Sequence, residues 1–309
     1  MELSGLHLLL TYQCNRECDH CFVWGGPEQD GVMTLECIRE ILKQAKDLGT
    51  IEWIYFEGGE PFLYYVPLLR GVQLAARLGF QVGLVSDAYW ATAMEDALAW
   101  LRPFSELVQD LSISSDLYHW DEKVSQQARN ACAAAEELEI PIGVISIAEP
   151  EMARDVAQIG KLPVGESVVM YRGRAAQKLV SRAKLHLWTE FTQCPHEDLR
   201  EPGRAHIDPF GNLHLCQGIS VGNVFRTPLS EICKTYDPDS HPITGPLLKG
   251  GPAELVRQFA LPHMETYADA CHLCYEVRSI LRSSFPDILG PDQMYGLCAK
   301  RPATNPATR

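Results

Sequence analysis

Between residues 6 and about 187, short apolar runs alternate with amphipathic stretches, and this alternation constrains the fold more than any other feature of the chain. The runs 6–11, 51–56, 80–86, 107–114, 140–147 and 167–171 have strand length and are mostly apolar. Strands buried on both faces read this way, which predicts a parallel sheet covered by helices. The helices between them carry their own boundary signals. Thr34 can cap a helix whose apolar face holds Leu35, Ile38, Ile41, Leu42, Ala45 and Leu48, closed by Gly49. Further helices are expected over 66–78, after a capping box of Thr92 and Glu95, over roughly 121–139, and briefly between the last two strands.

In parallel barrels the chemistry sits at the strand C-terminal ends. After the first strand those ends carry Cys14, Cys18 and Cys21, in C-x3-C-x2-C spacing. A 4Fe–4S cluster is normally held by four thiolates, so a loop offering three can leave one iron open to an outside ligand. After the second strand come Gly58, Gly59, Glu60 and Pro61. Two glycines at a strand end let the backbone approach a ligand closely. Later ends supply Ser86 and Asp87; Ser114, Asp116, Tyr118 and His119; Ser146; and Tyr171, Arg172 and Arg174. A phenol and an imidazole, Tyr118 and His119, could line a substrate cavity or move protons, or could simply pack. A strand-end cap or a surface ion pair is the bland alternative for Ser114, Asp116 and Arg172.

The cysteine loop and the GGEP segment together resemble the radical S-adenosylmethionine (SAM) superfamily. That resemblance implies a partial (β/α)6 TIM-like barrel, a 4Fe–4S cluster on Cys14, Cys18 and Cys21, and SAM chelated to the open iron. It implies one-electron cleavage of SAM to methionine and a 5′-deoxyadenosyl radical. It places Gly58, Gly59, Glu60 and Pro61 at SAM, with Glu60 accepting a hydrogen bond from the SAM ammonium. It sets His20, where relatives usually carry an aromatic residue, against the adenine. It places Ser86, Asp87, Ser114, Asp116, Ser146 and Arg172 as further cofactor contacts.

After residue 188 the composition shifts towards cysteine, proline and glycine, and the alternation stops. A first domain over 1–187 and a second over 188–309 are therefore expected. Residues 204–216 read as a β-hairpin, with a turn around Gly211. Cys194 precedes it, Cys216 ends it, and Cys271 and Cys274 later open an amphipathic helix. A helix N-terminus favours thiolates and an anionic cluster. This set resembles the twitch domain, the shortened SPASM domain, a small cysteine-rich α+β unit holding an auxiliary 4Fe–4S cluster. Structural zinc on the same four thiolates is the alternative. Cys298 is a further candidate, as a replacement ligand or a catalytic residue. Cys37, Cys132 and Cys233 fall in helical patterns and read as small core residues.

No apolar run approaches about 18 residues and no signal peptide is visible, so a cytoplasmic protein with reduced cysteines is expected, outside the membrane. The net charge of −13, concentrated in residues 1–190, argues against a nucleic-acid substrate. Within the family this architecture occurs in maturases of ribosomal peptides or proteins and in sugar-alcohol dehydrogenases. The expected function is hydrogen abstraction and oxidative modification of a peptide or protein. The alternatives are a small-molecule dehydrogenase or rearrangement enzyme, and an Fe–S electron carrier or zinc scaffold without SAM chemistry. A one-electron reductant such as flavodoxin or ferredoxin is implied, and a separate peptide-recognition protein would serve the peptide reading.

Overall fold

A computed structural model describes residues 1–151 and 166–297. Six strands run parallel in chain order: β1 (Leu3–Thr11), β2 (Trp53–Gly58), β3 (Gln81–Ser86), β4 (Asp110–Ser114), β5 (Ile142–Ile147) and β6 (Glu166–Ser167). Helices α1 (Leu35–Leu48), α2 (Tyr65–Arg77), α3 (Met94–Leu101) and α4 (Gln126–Glu137) connect the first five. The expected mixed α/β architecture with a parallel sheet is present. The short helix expected before the last strand falls largely on 152–165, outside the described residues.

The α1 signals act as read. Thr34 accepts a hydrogen bond from the Cys37 amide, and Gly49 adopts the left-handed conformation (φ 80°) that closes the helix. The capping box does not form. Thr92 bonds the Asp96 carboxylate instead, and α3 starts at Met94 behind Ala93, which offers no side-chain cap. Helix α4 starts later than expected, at Ser125, whose hydroxyl accepts from the Ala128 amide. The preceding segment is consumed by a turn on Asp116, whose carboxylate accepts from the Tyr118 and His119 amides. The last parallel strand is also shorter than expected, only two residues.

Beyond residue 187, β8 (Gly203–Ile207) and β9 (Asn212–Cys216) form the expected hairpin, and β10 (Ile219–Asn223) extends it. Strand β8 pairs in parallel with β1, so the sheet order is β10-β9-β8-β1-β2-β3-β4-β5-β6. One sheet therefore crosses the compositional boundary at 187/188. A separate pair, β7 (His186–Leu187) with β11 (Thr266–Tyr267), lies outside it. Helices α5 (Ala175–Lys178), α6 (Leu229–Thr235), α7 (Thr244–Phe259) and α8 (Ala270–Leu281) complete the described chain. Cys233 is buried in α6, whereas Cys37 and Cys132 are half-buried.

Candidate functional site

The strand ends converge on a cavity of about 280 Å³. Cys14, Cys18 and Cys21 line it together with Gly58, Gly59, Ser86 and Asp87. His20, Ser114, Asp116, His119 and Arg172 complete the expected residues found there. The two loops are laced together by backbone. The Gly59 amide donates to the Thr11 carbonyl (2.6 Å) and the Glu60 amide to the Gln13 carbonyl (2.9 Å). A Cβ on Gly59 would lie 2.1 Å from the Gln13 oxygen, so only glycine allows this approach.

The cysteine loop is pinned from two sides. Arg174 donates to the carbonyls of Cys18 (2.8 Å) and Gly25 (2.7 Å). Arg16 pairs with Asp87 (2.8 Å) and lies 3.6 Å above the Trp120 ring. Burial raises all three thiols, well above their usual range at Cys14 and Cys18, where neighbouring charges add to the rise, and against the opposing Arg174 charge at Cys21. Ionised, they need cations beside them, which suits metal ligands. The Gly25 amide points at the Cys21 sulfur (3.2 Å) and the Arg16 amide at that of Cys14 (3.4 Å).

Burial would raise the Asp116 carboxyl, but contacts with His119 (2.8 Å) and His20 (3.5 Å) outweigh it and hold the group well below the carboxylate range. Asp116 is thus an anion on the cavity wall. The His20 ring stands edge-on to Tyr118 (4.8 Å).

Four expected positions lie elsewhere, and a fifth, Cys298, lies outside the described residues. Glu60 is fully buried: its carboxylate accepts from the Phe62 amide (3.0 Å), the Ser86 hydroxyl (3.0 Å) and the Asp87 amide (2.8 Å). It ties the second strand end to the third and does not line the cavity. Pro61 is buried beside it as the start of a 3-10 turn. Ser146 is off the cavity because strand alternation turns its neighbours Ile145 and Ile147 inward instead. Tyr118 packs on a small cluster with Tyr171 and Leu179, outside the lining.

A second, smaller cavity is lined by Cys194, Cys216, Cys271 and Cys274. Asp269 caps α8 by accepting from the His272 amide (2.7 Å), which sets Cys271 and Cys274 in the helix's opening turns. Arg278, one turn on, is fully buried and donates to the carbonyls of Cys274 (3.2 Å) and Gln217 (2.7 Å). Burial raises the Cys274 thiol to about 11, although Arg278 works against it. Arg172 lines both cavities, reaching Glu197 and the Cys216 sulfur at 3.4 Å each. Neither the three thiols nor the four gather within 4.8 Å of one another, among the described residues.

Sequence reasoning did not single out Arg16 or Arg278. Spacing could have found Arg278, four residues after Cys274 on a helix, but nothing local marks Arg16 as the partner of Asp87.

Comparison with known proteins agrees with this geometry. The model of the radical SAM superfamily matches residues 8–145. YydG of Bacillus subtilis (strain 168), named for peptide biosynthesis, is 32% identical over 111 residues, 36% of this chain and 35% of that protein. A tungsten-containing aldehyde ferredoxin oxidoreductase cofactor-modifying protein of Pyrococcus furiosus is 29% identical over 112 residues, 35% of this chain and 29% of its own length. The chain thus matches about a third of each curated relative. Among solved structures, native anSMEcpe with bound AdoMet and Cp18Cys peptide aligns with a TM-score of 0.52 at 13% identity, over 93% of this chain and 97% of that one. At that identity the likeness is one of fold.

Proposed function

We propose that the chain is a SAM-dependent iron–sulfur enzyme of the radical SAM superfamily, whose model matches residues 8–145, and that it oxidatively modifies a peptide or protein substrate. The single observation that carries the reading is the meeting of three thiols and the Gly58–Gly59 backbone in one cavity at the strand ends. Bound there, a cluster and SAM would supply one-electron radical chemistry able to abstract hydrogen from an unactivated C–H bond.

The chain's own residues do the rest. Cys14, Cys18 and Cys21 hold the cluster, and the amides of Arg16 and Gly25 stabilise negative charge on two of the sulfurs. The Gly58 and Gly59 backbone receives the SAM ammonium. Asp116, kept anionic by His119 and His20, accepts from ribose hydroxyls. Arg172 presents a cation for a carboxylate, and its Nε is buried without a hydrogen-bond partner of its own. Ile145, Ile147 and Met170 form an apolar wall that limits water.

We read the second cavity as an auxiliary 4Fe–4S site on Cys194, Cys216, Cys271 and Cys274. A zinc tetrahedron with Zn–S bonds of about 2.3 Å would place its sulfurs about 3.8 Å apart. Zinc on the same four thiolates is the alternative, and metal content separates the two. The peptide substrate is supported by the name of YydG. The name of the cofactor-modifying relative supports the second reading, a small-molecule cofactor precursor. A flavodoxin- or ferredoxin-type reductant, a separate recognition protein and a cytoplasmic setting belong to the same proposal. No described helix is long and apolar enough to cross a membrane.

The test is anaerobic reconstitution followed by SAM and a strong reductant. Formation of 5′-deoxyadenosine is expected, and its loss when Cys14, Cys18 and Cys21 are all changed to Ala. Undiminished product from that variant would end the reading. Incubation with peptides encoded beside the gene should yield a product lighter by a hydrogen pair, whereas turnover of small molecules alone would select the second reading.

A further inference from the structure

Three polar side chains stand inside the sheet where the proposed reaction does not use them. His7 on β1, Glu57 on β2 and His206 on β8 come from three adjacent strands. His7 sits opposite His206 in one register and opposite Tyr55 in the other, and Glu57 lies two residues beyond Tyr55, on the same face. Glu57 reaches His7 Nδ1 at 3.1 Å and His206 Nε2 at 3.2 Å. One donor atom from each residue lies within 4.8 Å of the others.

We propose that His7, Glu57 and His206 bind a divalent first-row transition-metal ion in the floor of the SAM cavity. The donor spacing fits. Ligand atoms about 2.0–2.2 Å from a common ion lie roughly 3–3.5 Å apart. The hydrogen bonding alone does not satisfy the cluster. Glu57 Oε1 is buried without a well-formed hydrogen bond, with His206 Nε2 3.2 Å away. His206, 5% exposed, also buries an unpartnered Nδ1, which is the kind of group that buried sites seldom leave unmet. The His7 ring is fixed in the orientation a ligand needs. It stacks on Tyr55 (4.6 Å, 11°), whose hydroxyl is fixed by Asp110 (2.8 Å). Two imidazoles and a carboxylate suit zinc or ferrous iron, and the absence of thiolate separates this site from both cysteine sets. Glu57 also lines the SAM cavity, so the ion's remaining coordination side opens to bound ligands.

Cobalt(II) titration of the cluster-free full chain tests this independently of SAM chemistry. The cysteine sites give intense thiolate-to-cobalt charge transfer, and the His–Glu–His site should add weak visible bands without it. Glu57→Gln and His206→Gln should each take up about one cobalt fewer per chain, with thiolate charge transfer unchanged as the control for folding. Wild-type uptake confined to thiolate-bound cobalt would overturn the proposal without any variant. Uptake in Glu57→Gln equal to wild type would overturn it as well, leaving the triad as a buried ion pair.

Discussion

Glu60 and Arg174 each hold other parts of the protein in place through hydrogen bonds. Glu60 gathers three donors from two strand ends, so its removal leaves buried N–H groups unmet. Glu60→Gln should lower the unfolding free energy by about 1–3 kcal/mol, read as a shift in the urea midpoint. A midpoint unchanged from wild type would show that these three bonds do not stabilise the fold. Arg174 spans the cysteine loop with a forked pair of bonds that lysine cannot reproduce. Arg174→Lys should therefore release iron from the first site several-fold faster under chelator challenge. Equal release rates would show that the loop holds its shape unaided.

Helix α7 shows how an element can carry a pH dependence. The His241 Nδ1 accepts from the amides of Ile243 (3.3 Å) and Thr244 (3.1 Å), so the ring caps the helix only while that nitrogen is unprotonated. Burial lowers its pKa from 6.5 to about 4. The unfolded chain then takes up this proton first, and the associated stability is whole above about pH 6.5 and is lost as pH falls towards about 4. His241→Asn keeps an acceptor that does not titrate. Denaturation of the cluster-free variant should show a shallower loss across that window than wild type, and matching slopes would remove His241 as the cause.

Across the whole molecule the decisive contact is β8 against β1. It is reinforced by the Tyr12 hydroxyl, which donates to the fully buried Asp208 (3.1 Å), itself paired with His214 (3.2 Å). Residues 1–187 alone would expose an unpaired edge of β1 and the apolar side of the sheet. That fragment should be insoluble, and the full chain should unfold in a single transition; a soluble, cooperatively folding fragment would contradict this. The two cysteine sets still predict separate loads. Reconstituted protein should contain about eight irons, four per cubane. Changing Cys194, Cys216, Cys271 and Cys274 to Ala should halve that content and spare SAM cleavage. Four irons with stoichiometric zinc would replace the auxiliary cluster by a zinc site.

Strand–helix alternation, the cap and stop of α1, the hairpin and both cysteine sets were legible in the chain because each rests on local spacing: apolar period, turn chemistry or residues a few positions apart. The failures share one cause. Thr92 was taken by Asp96 and the segment after Asp116 by its carboxylate. Each of these side chains had a competing partner whose position depends on folding. Tertiary structure alone decided that β8 joins β1, that Arg172 touches both cavities, and that His7, Glu57 and His206 meet. Those residues are separated by tens to hundreds of positions, and only the pairing of distant strands brings them within bonding distance.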